Sequence, residues 1–124
     1  MAMVETRNLD AADETRTFEK GRAELVTLAG VTVGRAVFQP GWRWSLHVKP
    51  IVGTDSCEVT HTGYVISGRL KVVMDDGSEA ELGPGDAHVI PPGHDAWVLG
   101  DEPYVAVDFS PEIAGYAKAP DGPP

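Results

Sequence analysis

The sequence predicts an all-β domain of short antiparallel strands, and three observations carry that reading. Runs with period-two alternation of apolar and polar residues recur along the chain. Gly, Pro, Asp and Ser turn signals separate them at short intervals. No heptad, internal repeat or long amphipathic helix interrupts the pattern. A small domain with about ten short strands has to manage its sheet edges, and a sandwich, a barrel or a two-sheet jelly roll does so.

Residues 1–16 are acidic and polar with weak periodicity, which predicts a loosely held arm with at most one short helical turn. Thr17–Glu19 is a candidate edge strand. Glu24–Leu28 and Val31–Phe38 read as two strands joined at Ala29-Gly30, and Gln39-Pro40-Gly41 is a turn signal. Trp42–Val48 then alternates, with Trp42, Trp44, Leu46 and Val48 on one face and Arg43, Ser45 and His47 on the other. Period two over this stretch predicts a strand, ended by a loop from Lys49 to Asp55. Cys57–Ile66, Arg69–Met74, Glu79–Leu82, Ala87–Ile90, Asp95–Leu99 and Tyr104–Phe109 supply the remaining strands. Asp76-Gly77 marks a hairpin tip. Beyond Ser110, Pro, Gly and Ala dominate, so residues 111–124 are expected to form an extended tail and residues 17–110 the barrel.

The bulk properties exclude several roles. With 124 residues and 42% hydrophobic content, the chain is long enough for one domain with one core. A formal net charge of −9 leaves no basic stripe to neutralise phosphates, which argues against nucleic acid and against anionic membrane surfaces. Apolar runs are too short to span a bilayer. Cys57 is the only cysteine, so no intramolecular disulfide is available. The polar N-terminal stretch lacks the apolar region of a secretory signal, and a cytoplasmic protein is expected.

Two stretches resemble the motifs of the cupin superfamily. The family's first motif runs G-x5-H-x-H-x(3,4)-E-x6-G and its second G-x5-P-x-G-x2-H-x3-N. Gly85, Pro91 and Gly93 fit the second, in which Ala96 takes the histidine's place. In the first, His61 stands seven residues before Gly68, where the family has Glu. Counting back from His61, Cys57 and Asp55 occupy the places of the paired histidines; counting forward from Gly41, His47 falls on the first of them. The resemblance spans about Pro40 to Phe109. It implies an antiparallel double-stranded β-helix, a jelly-roll barrel that is usually a homodimer, with a site inside the barrel mouth. It also implies a divalent metal ion (Fe, Zn, Mn, Cu or Ni) and a small-molecule substrate or ligand.

A thiol and imidazoles are the ligands that a soft or borderline metal prefers. On a straight strand Cys57 and His61 share a face, but their Cα atoms lie about 13 Å apart, so a shared ion requires a bulge or bend between them. His94 has the parity of Ala96 and therefore points inward if that position does. His47 is a fourth ligand if the polar side of its strand faces the interior, and a surface residue if the Trp42/Trp44 face does. His88 reads as structural. Trp42, Trp44, Trp97 and Tyr64 serve either as core or as the lining of an apolar pocket. The metal candidates are thus His47, Cys57, His61 and His94. The expected chemistry is that of a small dioxygenase, isomerase, cyclase or lyase. The alternative is a non-catalytic barrel that binds or senses a small ligand, with or without metal. A third reading makes Cys57 a redox sensor, which requires an accessible thiol of low pKa. The exposed Trp42/Trp44/Leu46/Val48 face is the expected homodimer contact.

Overall fold

The computed structural model describes residues 2–119, and among them nine strands form two antiparallel sheets. In the larger, β1 (Glu14–Phe18), β2 (Gly21–Leu28), β3 (Val31–Phe38), β9 (Tyr104–Asp108), β4 (His61–Ser67) and β7 (Ala87–Ile90) lie side by side in that order. In the smaller, β5 (Arg69–Met74) is flanked by β6 (Glu79–Leu82) and β8 (His94–Leu99). The chain changes sheet at each of the connections β4–β5, β6–β7, β7–β8 and β8–β9, which is what makes the molecule a jelly roll rather than two separate meanders. Among the described residues no helix is long and apolar enough to cross a membrane.

Turn chemistry sets these reversals. Ala29 and Gly30 both take positive φ, 48° and 77°, as a two-residue hairpin loop that matches strand twist requires. Gly68 carries the chain from one sheet to the other with φ 77°, and a Cβ there would lie 2.3 Å from the carbonyl oxygen of Pro103. Only glycine fits that crossing. The inward residues of both sheets, among them Leu25, Phe38, Val65, Leu70, Val72, Ala96, Val98 and Tyr104, form one core. Phe38 stacks on Trp42 with ring centroids 3.7 Å apart.

Three segments depart from the sequence reading. Trp42–Val48 is not a strand: α1 (Trp44–His47) is a single helical turn, followed by α2 (Lys49–Val52) where a loop was expected. Trp42, Trp44 and Val48 are buried and Leu46 is 64% exposed, so the aromatic face proposed for dimer contact lies in the core instead. The arm is shorter than expected. Leu9–Ala11 form the one anticipated helical turn, but β1 already starts at Glu14, at the edge of the larger sheet. The expected tail folds back. Pro111–Gly115 form a 3₁₀ helix capped by Ser110, and Ile113, Tyr116 and Ala117 are buried. Apolar side chains at Ile113 and Tyr116 drive this return. Gly34 makes room for it, since a Cβ there would approach Ile113 to 2.8 Å. Residues 120–124 of the expected tail lie outside the described residues.

Candidate metal centre

Cys57, His61 and His94 meet inside the barrel, each offering one ligand atom, with all three atoms within 4.8 Å of one another. The bend that the sequence required is a change of sheet. Cys57 forms an isolated bridge with His94 at the start of β8, its N–H donating to the His94 carbonyl at 2.8 Å. His61, four residues on, already pairs with Ile90 of β7 in the other sheet. Residues 58–60 therefore cross from one sheet to the other, and the crossing folds the thiol and the imidazole onto the same interior. Sγ of Cys57 and Nε2 of His61 stand 3.8 Å apart. Zn–S and Zn–N bonds of about 2.3 and 2.1 Å at a tetrahedral angle separate sulfur and nitrogen by about 3.6 Å, so the spacing fits one shared ion.

Both imidazoles are held in one tautomer. Nδ1–H of His61 donates to Oδ2 of Asp108 at 2.6 Å, and Nδ1–H of His94 donates to the carbonyl of Pro91 at 2.8 Å. A carboxylate and a carbonyl only accept, so each Nδ1 carries the proton and each Nε2 keeps its lone pair. A carboxylate or carbonyl behind a ligating histidine is the usual way such a ligand is oriented and made more basic. Asp108 also accepts from the backbone N–H of Ser110 at 2.8 Å, which fixes its own position.

Burial tunes Cys57, His94 and the nearby His88. It pushes the Cys57 thiol up to about 12, so the thiol is protonated unless a cation takes the proton's place. Burial, and then the neighbouring His61, lower His94 to about 4, which keeps it neutral and able to ligate. His88 is lowered as well, chiefly by burial. A buried thiol of this kind is poorly suited to the redox-sensor reading, which needs an exposed thiolate.

The other candidates sit apart. The helical turn α1 carries His47 back onto its own N-terminus, where Nδ1 accepts the Arg43 N–H at 3.0 Å, and His47 is not in the cluster. The expected strand made it a ligand only if its polar side faced the interior, and the burial of Trp42 and Trp44 removes that option as well. Asp55 is exposed. Ala96 is buried on the inward face of β8 together with His94, as their shared parity requires. His88, read from the sequence as structural, lines the same cavity as His61 and His94. Asp108 escaped sequence reasoning. Its only signal was its parity with Tyr104 and Ala106 on an inward strand face.

Residues 51–110 match the cupin domain family. No curated protein matches the chain. Among solved structures, a protein of unknown function from Rhizobium leguminosarum is 21% identical with a TM-score of 0.63, the match covering 88% of this chain and 97% of that one. KdgF from a Halomonas species is 24% identical with a TM-score of 0.55, over 79% and 86% of the two chains. Oxalate decarboxylase from Lactobacillus farciminis, solved with formate, is 20% identical with a TM-score of 0.57. That match covers 81% of this chain and 31% of the decarboxylase, so this chain spans about a third of its length. At these identities the likeness is one of fold.

Proposed function

Because the chain is a small cupin jelly-roll domain, we propose that it holds a divalent metal ion inside its barrel through Cys57, His61 and His94, and acts there on a small molecule. The observation that supports this most is the paired tautomer control. Asp108 and Pro91 each accept from a histidine Nδ1–H, which leaves two Nε2 lone pairs in a buried cluster with a thiol. A core histidine would also satisfy its ring N–H; what favours ligation is that both rings then converge with the Cys57 thiol within 4.8 Å. Thiolate and imidazole favour iron, zinc, copper or nickel over manganese.

A bound divalent ion supplies Lewis acidity, which polarises a carbonyl oxygen or lowers the pKa of water. The protein's own groups do the rest. Cys57 would hold the ion as a thiolate, its proton released to solvent. Asp108 and Pro91 hold the rings in place, and Ile113 and Tyr116, packed over the cavity, limit the access of bulk water. An ion held by these three residues would have room to take a substrate atom as a further ligand.

Elemental analysis of protein purified without chelator tests the reading. About one metal per chain is expected in wild type, with most of it lost in His61→Ala. Full occupancy in a folded His61→Ala variant, or a wild type that takes up none of the five metals when they are supplied, would sink it.

A further inference from the structure

Two hollows meet at the Cys57, His61 and His94 cluster. The inner one, inside the barrel, is lined by His61 and His94 and has about 50 Å³ of free space. The outer one, lined by Cys57, Glu58, Val59 and Lys118, has about 170 Å³. Trp44 and Tyr116 line both, so these two side chains are the wall between them. The inner space is the size of a few waters and far short of the roughly 300–1,000 Å³ of a small-molecule site. A ligand that is to meet the thiol and the imidazoles together therefore needs the wall to move.

The two wall residues are held in different ways. Trp44 belongs to α1, which is tied to β8 by the Arg43–Trp97 bridge and by the Ser45 N–H donating to Asp95 at 3.1 Å. Tyr116 lies on the returning segment 111–118, which joins neither sheet. That segment is pinned by side chains instead. Ile113 fills the hollow left by Gly34, and the Thr60 N–H donates to Glu112 at 2.8 Å. Arg16 on β1 donates from Nη1 to the Tyr116 carbonyl at 2.7 Å, across a separation of 100 residues. The Tyr116 ring stands edge-on to His61, with centroids 5.3 Å apart. Directly after it, Ala117 takes φ 52°, a conformation strained for any residue with a Cβ. A segment outside the ladders that ends in a strained residue is the part of the wall that opens at least cost.

We propose that residues 111–118 are a gate over the barrel mouth, with Tyr116 as its moving wall and Arg16 as its latch. When Arg16 releases the Tyr116 carbonyl and the ring withdraws, the inner and outer hollows join. Cys57, His61 and His94 then face one space that a small molecule can enter. With the gate closed, Cys57 is 2% exposed. The inference rests on the metal reading only for what a ligand meets once inside. The movement is a property of the segment and its attachments.

Cys57 is the only cysteine, so N-ethylmaleimide added to chelator-treated protein reports opening through a single thiol. Arg16→Ala removes the latch and should speed labelling about tenfold, the effect of losing one hydrogen bond from a charged donor. Ala117→Gly relieves the strain of the closed form and should slow labelling about threefold. Arg69→Ala, which breaks a surface pair with Glu81, is the control and should change nothing. The wild-type rate should hardly respond to low urea, because a gate exposes little surface, whereas global unfolding follows urea with its full slope. A full urea slope, or no labelling until the chain unfolds, overturns the proposal. So does an Arg16→Ala rate equal to that of wild type. An Ala117→Gly rate at or above wild type overturns it whether or not Arg16→Ala folds. Elemental analysis of the same preparations before chelation separates the two readings. The expected order of labelling rates in a protein that never retains metal sinks only the metal centre. Metal retention with labelling indifferent to both variants sinks only the gate.

Discussion

Residues 42–48 and 57–66 both read as strands from the sequence, the first with the cleaner alternation, yet the first coils into a helical turn and the second runs into a strand. Trp44 and Val48 satisfy period two, but they are also four apart, and a helical turn places both on one face. Pro50 sits in the first turn of α2, where its missing N–H is tolerated. Leu46 decides between the patterns. A strand would bury it with Trp44, whereas it is 64% exposed. From His61 onward, β4 has a ladder on both sides, β7 on one and β9 on the other. Alternation predicts a strand when neighbouring strands are there to receive it, and that condition is tertiary.

The largest effects should fall on the residues that commit each segment to its form. Trp44→Ala removes a fully buried indole from the helical segment and is expected to cost about 3–5 kcal/mol in chemical denaturation. Gly63→Ala attacks β4, because a Cβ would stand 2.1 Å from the Val107 carbonyl oxygen in the paired strand. Backbone has to move to relieve that contact, so a loss of about 3 kcal/mol is expected. If Trp44→Ala were near neutral, the helical segment would be a surface feature and its contrast with β4 would collapse.

Next in size is a pH effect expected of chelator-treated protein. His94 is lowered from 6.5 to about 4 on folding, so the unfolded chain binds a proton below pH 6.5 that the folded chain refuses. Stability should therefore be whole above pH 6.5 and fall as pH drops toward 4, by about 2 kcal/mol at pH 5. His88 adds in the same direction. The carboxylates that the fold perturbs, Glu14, Asp76 and Glu112, are lowered below their ordinary 3.8–4.5, so the upper part of the window belongs to the histidines. Thermal melts of chelated wild type and His94→Gln check this, and the variant should show the flatter profile.

Much of this candidate site was legible in the sequence. Motif spacing picked out Cys57 and His61, parity with Ala96 picked out His94, and the jelly roll followed from turn spacing together with the family resemblance. What was not legible needed contacts distant in the chain. Asp108 reaches His61 across the pairing of β4 with β9, a separation of 47 residues. The return of Ile113 and Tyr116 onto the core is invisible in a segment whose composition reads as tail. Asp108→Asn measures the first of these: it keeps the shape but weakens the acceptor behind His61, and metal affinity should fall about 10–100-fold by competition with a chelating dye. Unchanged affinity would make Asp108 a structural partner of Ser110 and nothing more.

The smallest expected effect is the sharpest discriminator between helix and strand at residues 42–48. Leu46→Ser removes an apolar side chain from a position that alternation assigns to the core and that α1 turns to solvent. In a buried strand the change would delete a packed leucine and leave an unpaired hydroxyl, at a cost of about 2–5 kcal/mol. On the exposed side of a helical turn it exchanges one solvated side chain for another, and serine's lower helix propensity costs only a few tenths of a kcal/mol. The expected denaturation midpoint is therefore within about 0.5 kcal/mol of wild type. Trp44→Ser, two residues away and on the same face of the imagined strand, should instead be severely destabilised. A large loss at both positions would restore a strand with Trp44 and Leu46 on its buried face, and His47, on the opposite face, would still stay out of the cluster.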